Sequence, residues 1–350
     1  MPPWLARTAG WSWRGLVIAL AVVATLWLLA RLSVVVLPLI IALILATLCV
    51  PPAQWLSRRG VPRSVAAGLV VVGGLVAIVG LLAAIAPSFA EQISDLRPTV
   101  EAGVDNLLAE LATLGFDQER LAALLQQGRE RLSSSSSAII SGLAGGLATA
   151  LSGLAGSLLL VVLLFFFVKD GPDITDWMLA RTPPHRRDLA AALGRRSWSA
   201  LSGYVRGTAS IAAIDAIAIG IGLAIIGVPL VLPLALLVFL GAFLPVIGAL
   251  LAGLVAVMVA LAAGGLGTGL ATLVLIVVIQ QVEGNVLQPM IMRRAVALHP
   301  VVVLSALAVG ATLAGIVGAF LSLPVAAVGA ALGNEVRLRN EAASEAGAPA

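Results

Sequence analysis

Apolar stretches long enough to cross a lipid bilayer recur along almost the whole of this 350-residue chain. They occupy residues 15–30, 34–50, 64–86, 143–168, 207–227, 229–263, 267–283 and 299–333. A crossing needs roughly 20 predominantly apolar residues. Inside hydrocarbon every backbone N–H and C=O must be paired within the protein, which leaves helices or closed barrels. These continuously apolar stretches read as transmembrane helices. The expected fold is an all-α polytopic integral membrane protein with about eight hydrophobic segments.

Composition agrees. Apolar residues make up 60% and charged residues 11%, against about 25% charged in soluble domains, and mean hydropathy is +1.09. A chain of this kind does not fold as a water-soluble globule. The net charge of +4 is small and sits mostly on arginines in the links, so it reads as topology and not as a nucleic-acid footprint. Cys49 is the only cysteine, which excludes an intrachain disulfide and suggests no metal cluster. Arg7 and Arg14 precede the first apolar stretch as in a secretory signal. A second stretch follows after only Arg31-Leu32-Ser33, so residues 15–30 read as a first transmembrane helix, with Trp4, Trp11, Trp13 and Trp27 as interfacial anchors.

Two stretches are too long for one straight crossing. Residues 229–263 contain Pro229, Pro233, Pro245 and Gly248, and residues 299–333 contain Pro300, Gly310, Gly315 and Pro324. Broken or re-entrant hairpins are the natural reading. Candidate helix breaks are Pro245, Gly248, Gly284, Pro289, Pro300 and Pro324. The two stretches also share an echo, Gly241-Ala-Phe-Leu-Pro-Val246 against Gly318-Ala-Phe-Leu-Ser-Leu-Pro-Val325. If each returns to the side it entered from, the arginines at 7, 14, 58, 59, 63, 181, 186, 187, 195, 196, 206, 293, 294, 337 and 339 all fall on one side. The positive-inside rule makes that side cytoplasmic.

Residues 88–137 then lie outside. Eight acids against four arginines reverse the charge of the other links. Ile93, Leu96, Val100, Val104, Leu107, Leu111 and Leu114 step by three and four, as in an amphipathic helix. Asp117 can cap a second helix. The expected organisation is helices one to three in 1–87, an extracytoplasmic amphipathic hairpin in 88–137 and helix four in 138–168. A cytoplasmic Arg-rich segment in 169–206, a membrane core with two broken hairpins in 207–335 and a disordered tail in 336–350 follow.

Residues suited to catalysis are absent. His185 and His299 have no acid or cysteine cluster at metal spacing, and no P-loop sequence exists. The chain reads as neither an enzyme nor a cofactor or metal carrier, and any transport runs on a gradient or a separate motor. Asp215 is the one carboxylate deep inside a span, about 12 Å from Gly207 along a helix. Ala212, Ala218 and Gly222 share its face, which therefore meets other helices. A charge there costs at least about 2.5 kcal/mol on insertion scales, so it marks a proton or cation site or a carboxyl bonded to a neighbouring helix. The second candidate region is the polar run at 280–300, where Gln280, Gln281, Glu283, Asn285 and Gln288 stand between apolar segments. Gln280 and Glu283 share a helix face. Gly284 can end the helix and bare carbonyls beside the carboxylate, an arrangement that suits a cation or ammonium; a helix cap anchored by amides is the plainer role.

At this point the chain resembles the autoinducer-2 exporter (AI-2E) family of bacterial membrane proteins, over about residues 10–335. Phe165-Phe-Phe-Val-Lys169-Asp170-Gly171 resembles the family's apolar run ending in Lys-Asp-Gly. Gly203-Tyr-Val-Arg206-Gly207 resembles its entry to the fifth helix. Gln281-Val-Glu283-Gly284-Asn285-Val-Leu-Gln288-Pro289, followed by Leu298-His299-Pro300, resembles its most recognisable block. Pro172 stands where the family often has an acidic residue, and Ala242 where it often has Asn, so any role of that Asn is not carried over. The resemblance implies a permease: an exporter of a small furanone-type quorum signal, or an antiporter of sodium or protons.

Together these readings predict a gradient-driven exporter in a bacterial cytoplasmic membrane. Asp215 and Glu283 are its coupling candidates, and Lys169, Asp170, Gly171 and Arg206 shape its cytoplasmic mouth. Expected partners are the lipid bilayer, a small polar solute or monovalent cation, and further copies of the chain in a homo-oligomer. An oligomeric scaffold or channel without coupled transport is the alternative.

Overall fold

A computed structural model describes residues 31–80, 154–244, 247–291 and 299–345, with isolated positions between 13 and 28 and residue 83. The amphipathic segment 88–137, most of the first apolar stretch, Pro245, Arg293 and Arg294 lie outside the described residues. Among the described residues all regular structure is helical, and five helices are long and apolar enough to cross a membrane. The chain divides into two compact units, Met1–Val71 with Ile140–Gly171, and Val72–Ile139 with Pro172–Ala350.

In the first unit, α1 (Ser33–Arg58) runs straight through Pro38, Pro51 and Pro52. It therefore outlasts the 34–50 stretch, as transmembrane helices often carry proline when neighbours meet the freed carbonyls. Gly60, at φ 94, turns the chain into α2 (Arg63–Gly80). Ala42 and Ala46 pack with Val71 and with Leu164 of α3 (Leu154–Ala180). Alanine on the contact face lets the backbones approach closely.

The second unit is built on α4 (Pro184–Ile226), 43 residues long and so about 64 Å at 1.5 Å per residue. Much of the expected 169–206 link is therefore helix, shared between the end of α3 and the start of α4. Gly227 closes α4 in the left-handed region, φ 85, and the Val228 N–H reaches back to the Leu223 carbonyl. That is a Schellman-type stop. Three residues later α5 (Val231–Gly241) returns along α4, and Gly220 faces Ala235 closely enough that an added Cβ would sit 3.2 Å from it.

Both long segments fold back on themselves. α5 and the first arm of α6 (Ile247–Val282) meet where the Gly241 and Gly248 backbones touch, and a Cβ on Gly241 would lie 2.7 Å from the Gly248 carbonyl oxygen. Within α6 the chain reverses again at Gly265 (φ 73, ψ −167). Gly253 consequently faces Ile276, which a straight helix would hold about 34 Å away. In α8 (Pro300–Glu345) the reversal falls at Ala314 and Gly315, and it brings Gly310 against Gly318.

The hairpins expected from the sequence are present: one turns between Gly241 and Gly248, the other at Ala314–Gly315. Pro300 opens α8, where its missing N–H costs nothing. Pro324 lies inside the second arm without breaking it. At Gly265 and Gly315 glycine supplies the reversal, because positive φ is what a tight turn between helices needs. α8 also continues to Glu345, into the segment expected to be disordered, with Arg337–Glu341 and Arg339–Glu335 pairs one turn apart. Its outer end is tied to α4 by Arg196–Glu335 at 3.0 Å.

Candidate functional site

The second arm of α6 carries the sequence's polar run, and it does not stop at Gly284. Glu283–Leu287 form a π turn in which the Gln288 N–H bonds to the Glu283 carbonyl, and the helix goes on as α7 (Gln288–Ile291). The cause is Pro289. In an α register its ring would press on the Asn285 carbonyl and would leave that group without a donor. Widening the turn by one residue relieves the clash, and such π turns concentrate at functional sites. Gly284 and Pro289 are therefore not helix ends, as the sequence suggested, but parts of a helix whose turn is locally widened by one residue.

The widened turn changes where the polar side chains go. Asn285 donates its amide to the Gln281 carbonyl at 2.9 Å, and Gln288 donates to Glu283 Oε1 at 3.2 Å. Glu283 is half-buried, and its carboxyl lies beside that of Asp215 on α4. Two carboxyls held side by side repel when both are ionised, so the pair favours holding a proton. Asp215 itself is 2% exposed, and its Oδ1 makes no hydrogen bond within the protein.

Packing explains why Asp215 is so deeply placed. Ala212 is fully buried beside it, and Gly222, two turns along the same helix, leaves a gap filled by Leu275 of α6. Ile219 and Ile276 then close an apolar layer beyond the carboxyl pair. Thr272, on the same face of α6 as Ile276 and Glu283, is fully buried with an unpartnered hydroxyl, as is Ser202 on α4, 6% exposed. Neither hydroxyl stood out in the sequence; a lone Thr or Ser in an apolar helix is common, and only burial without a partner marks it.

Not every expected site residue joins this pair. Gln280 is half-buried and Gln281 exposed, and neither side chain contributes to the carboxyl contact in the hydrogen bonds observed. Lys169, Asp170 and Gly171 lie within α3, in the first unit. Lys169 pairs with Asp170 at 3.4 Å and stands 5.9 and 5.7 Å from the Phe165 and Phe166 rings. Arg206 is on α4, in the second unit, one span-half from Asp215.

The echoed tetrapeptides do meet. Phe243, at the bend after α5, lies 6.1 Å from Phe320 of α8, and Leu244 packs with Leu307, Ala319 and Leu323. Gly241 and Gly318, the first residues of the two echoes, each sit at the close approach of their own hairpin.

Apolar helices long enough to span a membrane, two hairpins that meet, and a buried carboxyl beside a second acid define a polytopic membrane protein. Comparison with known proteins agrees. The family model described as AI-2E family transporter matches residues 16–337. The "Putative transport protein MT0215" of Mycobacterium tuberculosis is 40% identical over 332 residues, 93% of this chain and 89% of its own. YrrI of Bacillus subtilis (25% over 312 residues, 86% of each chain) and YhhT of Escherichia coli K12 (28% over 300 residues, 84% and 82%) carry the same designation. The chain belongs to the AI-2E family of transporters. It is a multi-pass membrane transporter with bacterial relatives, and not an enzyme.

Proposed function

We propose that the chain is a gradient-driven permease of a bacterial cytoplasmic membrane in which Asp215 and Glu283 exchange a proton for cargo. The cargo class is a small polar molecule, such as a quorum-sensing signal leaving the cell, or a monovalent cation such as Na+. The observation that carries this reading is the carboxyl–carboxyl contact. Two acids, one on each of two apolar helices, lie side by side where their like charges favour uptake of a proton, and one of them is almost wholly buried. Structure alone has no use for such a pair, because burying a carboxyl costs several kcal/mol unless it is fully bonded, and Asp215 Oδ1 is not. Ionisable groups within membrane segments are retained for proton and ion pathways.

The test is flux in proteoliposomes loaded with a pH-sensitive dye, with a Na+ gradient or a furanone-type signal imposed across the membrane. The expected result is proton movement that depends on the added cargo and disappears in Asp215→Asn and Glu283→Gln chains inserted at normal levels. Cargo flux that ignores the pH gradient, or that survives both substitutions, would identify an uncoupled channel instead.

A further inference from the structure

We propose that the corner between α1 and α2 binds the headgroup of an anionic phospholipid. The corner reads Trp55-Leu-Ser-Arg58-Arg59-Gly-Val-Pro62-Arg63, three guanidinium groups within six residues. No Asp or Glu occurs anywhere in the chain before Glu91. None of the ion pairs formed among the described residues includes Arg58, Arg59 or Arg63. A helix C-terminus favours one arginine through its exposed carbonyls; it does not account for three without a counter-charge.

Geometry sets the level of this charge. The apolar run of α1 ends at Val50, and Trp55 lies about 7 Å further along the helix. The headgroup layer on each side of the hydrocarbon is about 5–8 Å deep, so Trp55, 53% exposed, falls within it. Side chains on a helix lean toward its N-terminus. The Arg59 guanidinium accordingly folds back over the Trp55 ring, 4.0 Å from its centroid. The stack draws the cation up from its backbone position to headgroup depth and holds it flat, with N–H groups free to fork onto a phosphate.

The same spacing recurs at Trp177-x-x-x-Arg181-x-x-Pro184 and makes a natural contrast. Arg181 also stacks on its tryptophan, at 3.7 Å. There, however, Asp173 and Asp176 stand within the preceding turn. Arg181 Nη1 bonds to the Trp177 carbonyl, and Arg187 Nε bonds to the Leu179 carbonyl. That corner spends its donors on the protein and carries its own counter-charge. Only the first corner is acid-free, so the lipid site is assigned there. By the positive-inside rule it faces the cytoplasmic leaflet, where anionic lipids attract juxtamembrane arginines.

Native mass spectrometry of the full chain after exchange into mixed phosphatidylglycerol and phosphatidylcholine tests this assignment. Wild type retains phosphatidylglycerol preferentially. Arg59→Gln lowers that preference about fivefold, the ratio equivalent to about 1 kcal/mol per interfacial arginine. Trp55→Leu keeps all three charges but releases the stack, and its preference falls between the two. Arg186→Gln with Arg187→Gln, which removes more charge elsewhere, leaves the preference unchanged. Circular dichroism melting that matches wild type shows each chain folded. Equal loss in the 186/187 chain would reduce the effect to net charge, and an unchanged preference in folded Arg59→Gln would overturn the site. Competition by soluble glycerophosphoglycerol as strong as by the lipid would make it a free-anion site and also overturn the proposal.

Discussion

Asp215 is an expensive residue whose cost is visible in its surroundings. It is 2% exposed, it has one oxygen without a partner, and a second acid lies beside it. Groups retained at a cost to stability are typical of functional sites, where activity and stability trade against each other. Asp215→Asn is therefore expected to leave stability equal or raise it, by up to about 1–2 kcal/mol, since the amide loses the like-charge neighbour and can donate to Glu283. Thermal denaturation in detergent reads this. A markedly lower melting temperature would mean that the carboxyl is structural, and would weaken the transport role proposed for it.

At the scale of elements, the π turn and the glycine crossings carry the account. Pro289→Ala restores a backbone N–H and removes the ring, so the turn at Glu283–Leu287 can anneal to an α register. Closing the wide turn shifts the phase between Glu283 and the helix beyond it by about 100°, which disturbs the placement of Glu283 beside Asp215. The expected outcome is a helix at least as stable as wild type with gradient-driven flux strongly reduced; full flux would show that the π turn does not position the pair. The hairpin crossings predict the opposite pattern. A Cβ at Gly248 would collide with the Gly241 carbonyl, which is backbone and cannot swing aside, whereas one at Gly222 meets the flexible Leu275 side chain. Gly248→Ala is expected to destabilise by roughly 1–3 kcal/mol and Gly222→Ala by less, as measured by denaturation of the two purified chains.

These elements also show what could be read in advance. The length and apolarity of 229–263 and 299–333 required broken hairpins, because hydrocarbon thickness is fixed and helix rise is fixed. Of the candidate breaks, Pro300 and Pro324 break nothing, Gly248 sits at the close approach of the first hairpin, and Gly315 turns the second together with Ala314. Proline only removes one donor, and a membrane helix tolerates that when neighbours compensate; reversal demands backbone angles that glycine reaches freely. Asp215 and Glu283 were each legible as polar anomalies in apolar runs. Their meeting was not, since it depends on the register between α4 and α6, set by Gly222 against Leu275 and by the extra residue of the π turn. The lipid corner was visible only as loop charge until the Arg59–Trp55 stack gave that charge a depth.

For the whole molecule, two hairpins whose echoed Gly-Ala-Phe-Leu sequences meet at Phe243 and Phe320 lie in the same unit as the carboxyl pair. In the proposed carrier this arrangement would link cargo movement to ion movement, and the proposal stands or falls on whether Asp215 and Glu283 act as one site. Groups that share a single proton fail together, so their losses do not add. The most direct measurement is a double-mutant cycle of proton-coupled flux in proteoliposomes, comparing Asp215→Asn, Glu283→Gln and the chain carrying both. The account predicts that each single substitution abolishes coupling and that the double chain is no worse than either. Independent, multiplicative losses, or a single substitution that leaves coupling intact, would contradict it.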